Sequence, residues 1–377
     1  MKIVELIFYC ITILYCINVL YVIRGWLRCN YFHPNENYRP TTTITVVIPV
    51  RNEEKHIAKL LEDLEKQNYP KTLFEICIVD DNSTDGTSEI LKKSKLDNLK
   101  VIHLNLESEI NSYKKKAIEE AIVNSSADLI VNTDGDCRIH ENWLKSIAEF
   151  YERNTYKLIS APVTFHEDQH WYEKLQTIEF QYLIGLGAAT ITNKIPTTCN
   201  GANLIYERKV FNEVKGFENI DEVASGDDEL LMHRINKYYP NSIGFLKSRD
   251  AIVKTYAKSS LSEFIEQRIR WASISVIHTS FVTTYFLGMA FLLNLSYVIS
   301  LITLLFSNAL QEYLLISFLI KLVIDGSFIY LTLNFFQNRK HIAYLLLVNL
   351  FYIIYVVLIG IIINFQKKYT WKGRSVK

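Results

Sequence analysis

The placement of the apolar runs constrains this chain most, because they lie at its two ends and are long enough to enter a bilayer. Ile3 to Ile23 is nearly all apolar, with Asn18 the main interruption. About 20 such residues cross the hydrocarbon core as a helix. A signal peptide is the rival reading. Against it, the apolar core is long, the only early positive charge is Lys2, and no small-x-small cleavage site follows. Arg24 and Arg28 come next, and by the positive-inside rule they put the following domain in the cytoplasm. Further apolar runs cover roughly 284–306, 310–335 and 342–365, each long enough to span. Lys321 and Asp325 stand at i, i+4 inside the second of these. Such a pair can relay ions or clasp helices, and a clasp is the better reading because nothing else points to transport. Three spans after a cytosolic domain would leave the tail "KKYTWKGRSVK" outside, whereas its five basic residues argue for inside. An even number of spans, for example with 284–306 lying in the interface, removes the conflict.

Between the ends the sequence reads as a soluble domain. Lys+Arg is 41 and Asp+Glu is 40 in 377 residues, a net charge of +1. That gives no electrostatic case for nucleic acid as a partner. The six cysteines form no CxxC pair and two sit in the first apolar run, so neither a zinc site nor a disulfide framework is indicated. A reducing cytosol is the default for this part of the chain. "ITVVIPV" (Ile44–Val50), "EICIVDD" (Glu75–Asp81), "VIHLN" (Val101–Asn105) and "LIVNTD" (Leu129–Asp134) read as strands. Helix patterns Glu53–Gln67, Gly86–Lys95 and Ser112–Asn124 fall between them. Strand–helix–strand alternation means βαβ units and a parallel sheet, whose ligand crevice lies at the carboxyl ends of the strands.

The acidic residues collect at that rim. Asp80 and Asp81 end one strand, Asp134 and Asp136 end another, and Arg51, Asn52 and Glu53 follow the first. In "TDGDC" the two aspartates are at i and i+2, so on an extended segment they aim at one spot. Two such carboxylates repel unless a cation lies between them. An Asx-type turn is the plain alternative for an Asp-Gly stretch. There is no GxGxxG and no GxxxxGK[ST], so no glycine loop is offered to phosphates. A hard divalent cation on oxygen ligands, Mg²⁺ or Mn²⁺, fits the aspartates. Lys114, Lys115 and Lys116 open a helix near the same rim and can reach phosphates, or else form a solvated face. Farther on, "SGDDELL" (Ser225–Leu231) is either a general base or a helix cap. "QRIRW" puts Gln267, Arg270 and Trp271 on one helical face, which suits a sugar or a diphosphate, or anchors an amphipathic helix at the interface.

Taken together, "VVIPVRNEE", "IVDDNSTDGT", "TDGDC", "CNGANLIY", "GDDELL" and "QRIRW" stand in this order over about Thr41 to Trp271. In them the chain resembles a membrane-bound family-2 glycosyltransferase. The resemblance implies an α/β GT-A fold, Rossmann-like with a mostly parallel sheet, in a cytosolic domain held by N- and C-terminal transmembrane helices. It implies an anchor over 1–24, a GT-A domain over 41–260, an interface segment over 261–283, transmembrane helices over 284–365 and a basic tail over 366–377. Pro49, Arg51, Glu53, Asp80 and Asp81 would line the nucleoside pocket, with Lys114 near the base or diphosphate. Asp134 and Asp136 would be the DxD pair, Asp134 on the donor and Asp136 on the metal. Asp227 would be the base. Gln267, Arg270 and Trp271 would hold the donor diphosphate, and Trp271 the acceptor sugar as well. Asn200 and Gly201 of "CNGAN" would line the acceptor wall. Gly226 replaces the usual Glu before the base and Asp228 follows directly, so Asp228 competes for that role. The segment before Lys114 also departs, with Tyr113 for Gly. The expected reaction is inverting transfer from a nucleoside-diphosphate sugar to a glycan or lipid-linked acceptor, at the cytoplasmic face of the plasma membrane. Single-sugar transfer to a polyprenyl phosphate, and an inactive scaffold on the same fold, are the alternatives.

Overall fold

The computed structural model describes residues 2–104, 110–166, 169–221, 225–277, 280–363, 365, 369–371 and 374–376. Asn105 of the third expected strand, His278 and Thr279 of the interface segment, and Lys367, Lys368, Lys372 and Lys377 of the basic tail fall outside them.

The chain forms two units. One is built mainly from Cys29–Glu167 and Ile191–Tyr256. Its strands are β1 (Ile44–Val50), β2 (Phe74–Asp80), β3 (Leu99–His103), β4 (Leu129–Asn132), β5 (Leu158–Ser160), β6 (Val163–Phe165), β7 (Leu204–Glu207), β8 (Ile243–Phe245) and β9 (Val253–Thr255). The main sheet runs β3-β2-β1-β4-β7-β5-β8, and β6 pairs with β9 in a second, two-stranded sheet. β1, β2, β3 and β4 are mutually parallel, as expected, and β5 is parallel to β8. Within the described main sheet only β7 runs antiparallel, to both β4 and β5. Ile44, Val46, Val47 and Ile48 of β1 are each at most 1% exposed, so this strand is covered on both faces. Burial of that kind contributes about 1.5–3 kcal/mol per side chain.

Helices α2 (Ile57–Glu65), α3 (Thr87–Lys93), α4 (Tyr113–Val123), α5 (Trp143–Glu152), α7 (Arg208–Glu213) and α8 (Glu229–Tyr238) belong to the same unit. α2 buries Ile57, Leu60, Leu61 and Leu64, the i, i+3, i+4, i+7 stripe of an amphipathic helix. Pro49, in a central strand, looks out of place because it cannot donate to a ladder. Thr133 N–H reaches Val47 O, and Asp81 N–H reaches Val50 O. Residues 47 and 49 therefore face β4, whose pairing with β1 stops at Val47. The missing Pro49 donor costs no sheet hydrogen bond.

The other unit comprises Met1–Arg28, Asp168–Thr190 and Ala257–Lys367. It contains α1 (Lys2–Arg28), α6 (Trp171–Thr192, to Thr190 in this unit), α9 (Leu261–Ile277), α10 (Phe281–Leu304), α11 (Gln311–Phe335) and α12 (Leu345–Ile362). Four helical stretches among the described residues are long and apolar enough to cross a membrane: Lys2–Arg28, Phe281–Leu304, Gln311–Phe335 and Arg339–Ile362. α6 differs from the expected layout, in which 41–260 forms one GT-A domain. Its Leu175 and Ile178 pack with Ile329, Leu333 and Val348 of the terminal helices. The buried charges behave as a clasp. Lys321 Nζ donates to Asp325 Oδ2 (2.5 Å) and Asn349 Oδ1 (2.6 Å), and the Tyr15 hydroxyl donates to Asp325 Oδ1 (2.9 Å). These bonds join α1, α11 and α12.

Candidate active site

Because β1, β2 and β4 are parallel, their carboxyl ends share one rim. The antiparallel β7 brings its amino end there too, with Leu204 opposite Asn132. The one-turn helix Gly201–Asn203 just before β7 is thereby placed at the rim.

The loops after β1 and β2 are tied to each other. Arg51 Nη1 donates to Asp81 O (2.7 Å) and Asn82 O (3.1 Å). Asn52 and Asn82 take left-handed backbone, which Asn tolerates. Asn52 N–H reaches Ser83 Oγ at 3.0 Å, and Glu53 N–H reaches Thr87 Oγ1 at 2.7 Å. Glu53 and Asp81 are buried. Asp80 is 1% exposed. Its carboxylate accepts from Ser83 N (3.0 Å), Ser83 Oγ (2.6 Å) and the Ser88 hydroxyl. Asp80 thereby shapes the turn that follows β2.

The "DGD" segment also departs from its extended reading. β4 stops at Asn132, and a turn follows in which Cys137 N–H reaches Asp134 O at 3.1 Å. The two aspartates consequently meet different partners. Asp134 Oδ1 is 2.9 Å from Lys114 Nζ, so the cation beside it is the protein's own. Asp136 Oδ2 accepts the neutral Thr255 hydroxyl at 3.1 Å, and the Cys137 thiol lies 3.8 Å from Oδ1. A Cβ on Gly135 would come within 2.9 Å of Val50 Cγ1 and 3.0 Å of Glu53 Cγ, so this turn fits against β1 only with glycine.

Lys114 is the hub of the site. Its ammonium also stands 3.3 Å from Asp227 Oδ2. Burial opposes its charge, but Asp134 and Asp227 outweigh that and raise its pKa. Asp228 accepts from Gly201 N (2.8 Å) and from Glu229 N (2.8 Å), so it caps α8 and pins the turn before β7. Burial, reinforced by the Asp227 charge, pushes the Asp228 carboxyl up to about 6. Burial and Asp228 raise Glu229, which accepts a hydrogen bond from the Thr198 hydroxyl. A Cβ on Gly201 would lie 3.1 Å from Asp227 Oδ2 and 3.4 Å from Lys114 Nζ, which is why glycine fits over this cluster. Gly226 is left-handed at φ +77°, a physical reason for glycine where the resemblance expects Glu.

Lys115 and Asn203 take parts other than those read from the sequence, and Thr255 escaped that reading altogether. Lys115, 1% exposed, holds Ile220 O (2.7 Å) and Ser225 O (2.9 Å). Burial pushes its ammonium down to about 8. Asn203 accepts from Trp143 Nε1 (3.1 Å) and donates to Pro162 O (2.9 Å) and Ala251 O (2.8 Å). Thr255 holds Asp136 from a three-residue strand that carries no sequence signal. Asn200 Oδ1 caps its own turn through Ala202 N at 2.9 Å. Gln267, Arg270 and Trp271 belong to α9, in the other unit.

Among the described residues no three His, Cys, Asp or Glu side chains gather closely enough to hold a metal by themselves. A small divalent cation bound through one carboxylate and substrate phosphates needs no such group. Asp136, whose described partners are a hydroxyl and a thiol, fits that arrangement.

Residues 45–215 match the model of Glycosyl transferase family 2. The dolichyl N-acetyl-alpha-D-glucosaminyl phosphate 3-beta-D-2,3-diacetamido-2,3-dideoxy-beta-D-glucuronosyltransferase of Methanococcus voltae is 25% identical over 244 residues, 61% of this chain and 72% of that protein. Glycosyltransferase AglE of Haloferax volcanii is 35% identical over 104 residues, 27% of this chain and 33% of the relative. The poly(ribitol-phosphate) beta-N-acetylglucosaminyltransferase TarS of Staphylococcus aureus is 38% identical over 112 residues, 29% of this chain and 19% of the relative. The last two alignments thus span a third or less of the relatives' lengths. Among solved structures, mannosyltransferase PcManGT from Pyrobaculum calidifontis, in complex with GDP-Man and Mn²⁺, superposes with a TM-score of 0.64 over 97% of this chain and 99% of that one. At 17% identity this is a likeness of fold.

Proposed function

The chain carries a glycosyltransferase family 2 domain on a GT-A-like fold, and from that premise we propose that it transfers a sugar, with inversion, from a nucleoside-diphosphate sugar to a glycan or lipid-linked acceptor. The observation that carries this reading is Lys114, set between Asp134 and Asp227 at the carboxyl rim of the parallel sheet. In the reaction an acceptor hydroxyl attacks the anomeric carbon as the bond to the diphosphate breaks. A carboxylate takes the hydroxyl proton. With one base and no covalent intermediate, the anomeric centre inverts. A divalent cation at Asp136, when bound, would supply positive charge to the diphosphate. Arg51 and Glu53 set the shape of the nucleoside side, together with Asp80 and Asp81. Gln267, Arg270 and Trp271 serve donor diphosphate and acceptor sugar. Asn200 and Gly201 form the acceptor wall.

Two residues compete for the base. The resemblance assigns Asp227, whose carboxylate faces Lys114. The raised carboxyl of Asp228, at about 6, favours Asp228, because a general base works best with a pKa near the operating pH. Its two backbone donors leave each oxygen a free lone pair.

The lipid acceptor class draws support from the Methanococcus relative, whose name specifies a dolichyl-phosphate-linked sugar. Arg24 and Arg28 at the end of α1, and Arg339 and Lys340 between α11 and α12, support a catalytic unit on the cytoplasmic side. The test is nucleoside diphosphate release by purified membranes given a panel of nucleotide sugars. Release is expected from one donor class, abolished by chelator and restored by Mn²⁺ or Mg²⁺. No release from any donor would leave the inactive-scaffold reading standing, and full activity in excess chelator would remove the metal from Asp136.

A further inference from the structure

We propose that Arg268 and Glu179 are a buried positioning pair that fixes Gln267 and Trp271. The inference rests on the reading above for what those two residues do, and on α6, α9 and α12 for how they are held. Arg268 lies inside "QRIRW" but off the face that Gln267, Arg270 and Trp271 share. It is 2% exposed. Its Nε donates to both Glu179 oxygens (3.1 and 3.2 Å) and its Nη2 to Oε2 (2.6 Å). The Tyr355 hydroxyl, from α12, donates to Glu179 Oε1 at 3.1 Å. The anion is thus anchored on one side by α6 itself and on another by a candidate membrane span.

The rest of the guanidinium is spent on the motif. Nη1 donates to Gln267 Oε1 at 2.5 Å. The Arg268 guanidinium carbon sits 4.4 Å from the Trp271 ring centroid and 4.3 Å from that of Phe264. Trp271 also stacks on Phe180 of α6, with centroids 5.7 Å apart and an interplanar angle of 26°. One side chain therefore sets the amide of Gln267 and the plane of Trp271 at once. Packing alone does not require this. A buried ion pair can often be replaced by apolar residues of similar volume at no cost in stability. An apolar residue keeps the helices together, but it neither holds an amide by hydrogen bond nor offers a planar cation to an indole.

That distinction supplies the experiment. The full-length protein in detergent is made as wild type, Arg268→Met/Glu179→Leu and Glu179→Gln. Hydroxyl-radical labelling of Trp271 is read by mass spectrometry. Turnover is read with the donor selected by the nucleotide-sugar panel. The double variant is expected to unfold at a temperature near wild type, to label more heavily at Trp271, and to lose about 10²-fold in turnover, the scale of a misplacement of about 1 Å at a reacting centre. Glu179→Gln is expected to move labelling and turnover the same way by less. A double variant that folds, labels and turns over as wild type does would overturn the proposal. If the double variant does not fold, unchanged Trp271 labelling in Glu179→Gln overturns it instead. Should wild type act on no donor, the glycosyltransferase reading fails, and Trp271 labelling alone still decides the positioning pair.

Discussion

Asp227 and Asp228 are neighbours in sequence with different attachments, and the difference can be measured. Asp227 faces the Lys114 ammonium at 3.3 Å, while Asp228 is held by two backbone N–H groups and carries the raised carboxyl. Asn serves as an N-cap as well as Asp does, so Asp228→Asn keeps the bond from Glu229 N that caps α8, gives up the one from Gly201 N, and removes the base. We expect it to lower turnover about 10²–10⁴-fold at saturating donor, with donor affinity by titration nearly unchanged. Asp227→Asn, which takes one anion from Lys114, is expected to weaken donor binding more than the chemical step. The reverse pattern, with Asp227→Asn dead and Asp228→Asn active, returns the base to Asp227. The pH profile gives a second check. A base must be unprotonated to act, and the Asp228 carboxyl loses its proton as pH rises through about 6. Wild-type turnover should therefore climb across that window and level off above it. In Asp228→Asn the climb should vanish, and a flat wild-type profile between pH 5 and 7 (roughly one unit either side of that value) would exclude Asp228.

At the scale of elements, β7 organises the site. An antiparallel strand between parallel ones delivers the Asn200–Asn203 turn to the rim, and Asn203 locks that turn. Its side chain bonds Trp143, Pro162 and Ala251, and it is fully buried. Asn203→Ala removes three hydrogen bonds and strands a buried indole N–H, a loss on the order of 3 kcal/mol by denaturant unfolding. Asn200→Ala removes one local cap and should cost about 1 kcal/mol. Equal costs would show that Asn203 is not the lock. These elements also mark how far the sequence could be read. β1 to β4 were legible because each carries a dense apolar run flanked by helix patterns. β5 and β8 are three residues long, too short to set a period against the background, and β7, no longer than β4, follows a one-turn helix instead of a long helix pattern. α6 mixes Glu179 and Gln181 into an apolar helix, and its partners come from both ends of the chain, so no local pattern announces it. The "DGD" aspartates stand out in the sequence, and the structure sets Asp134 beside Lys114 and Asp136 beside Thr255. Their arrangement was not legible, because β4 ends two residues before Asp134 and Lys114 comes from a helix that precedes β4.

Across the whole molecule, the described helices bear on how the chain threads the bilayer. α10 is continuous over 24 residues, about 36 Å at 1.5 Å per residue and enough to cross. This weighs against the alternative in which 284–306 lies in the interface. The charges of the connections follow the same alternation. Residues 305–310, between α10 and α11, carry no charge, whereas Arg339, Lys340 and His341 lie between α11 and α12. Short loops rich in Lys and Arg stay in the cytoplasm. The buried clasp of Lys321 with Asp325, Asn349 and Tyr15 adds a reason for α1, α11 and α12 to lie side by side at one depth, since hydrocarbon offers these groups no other partner. A reporter that is active only in the cytoplasm should therefore be silent when inserted after Ser307 and active when inserted after Lys340. Activity after Ser307 with silence after Lys340 would mean that α10 does not cross while α11 does, and silence at both would mean that α11 does not cross. Replacing Arg339 and Lys340 by Gln should weaken the cytoplasmic signal at the second position if those charges hold the loop. An unchanged signal there would mean that helix length and the clasp, rather than charge, fix the orientation of the last two helices.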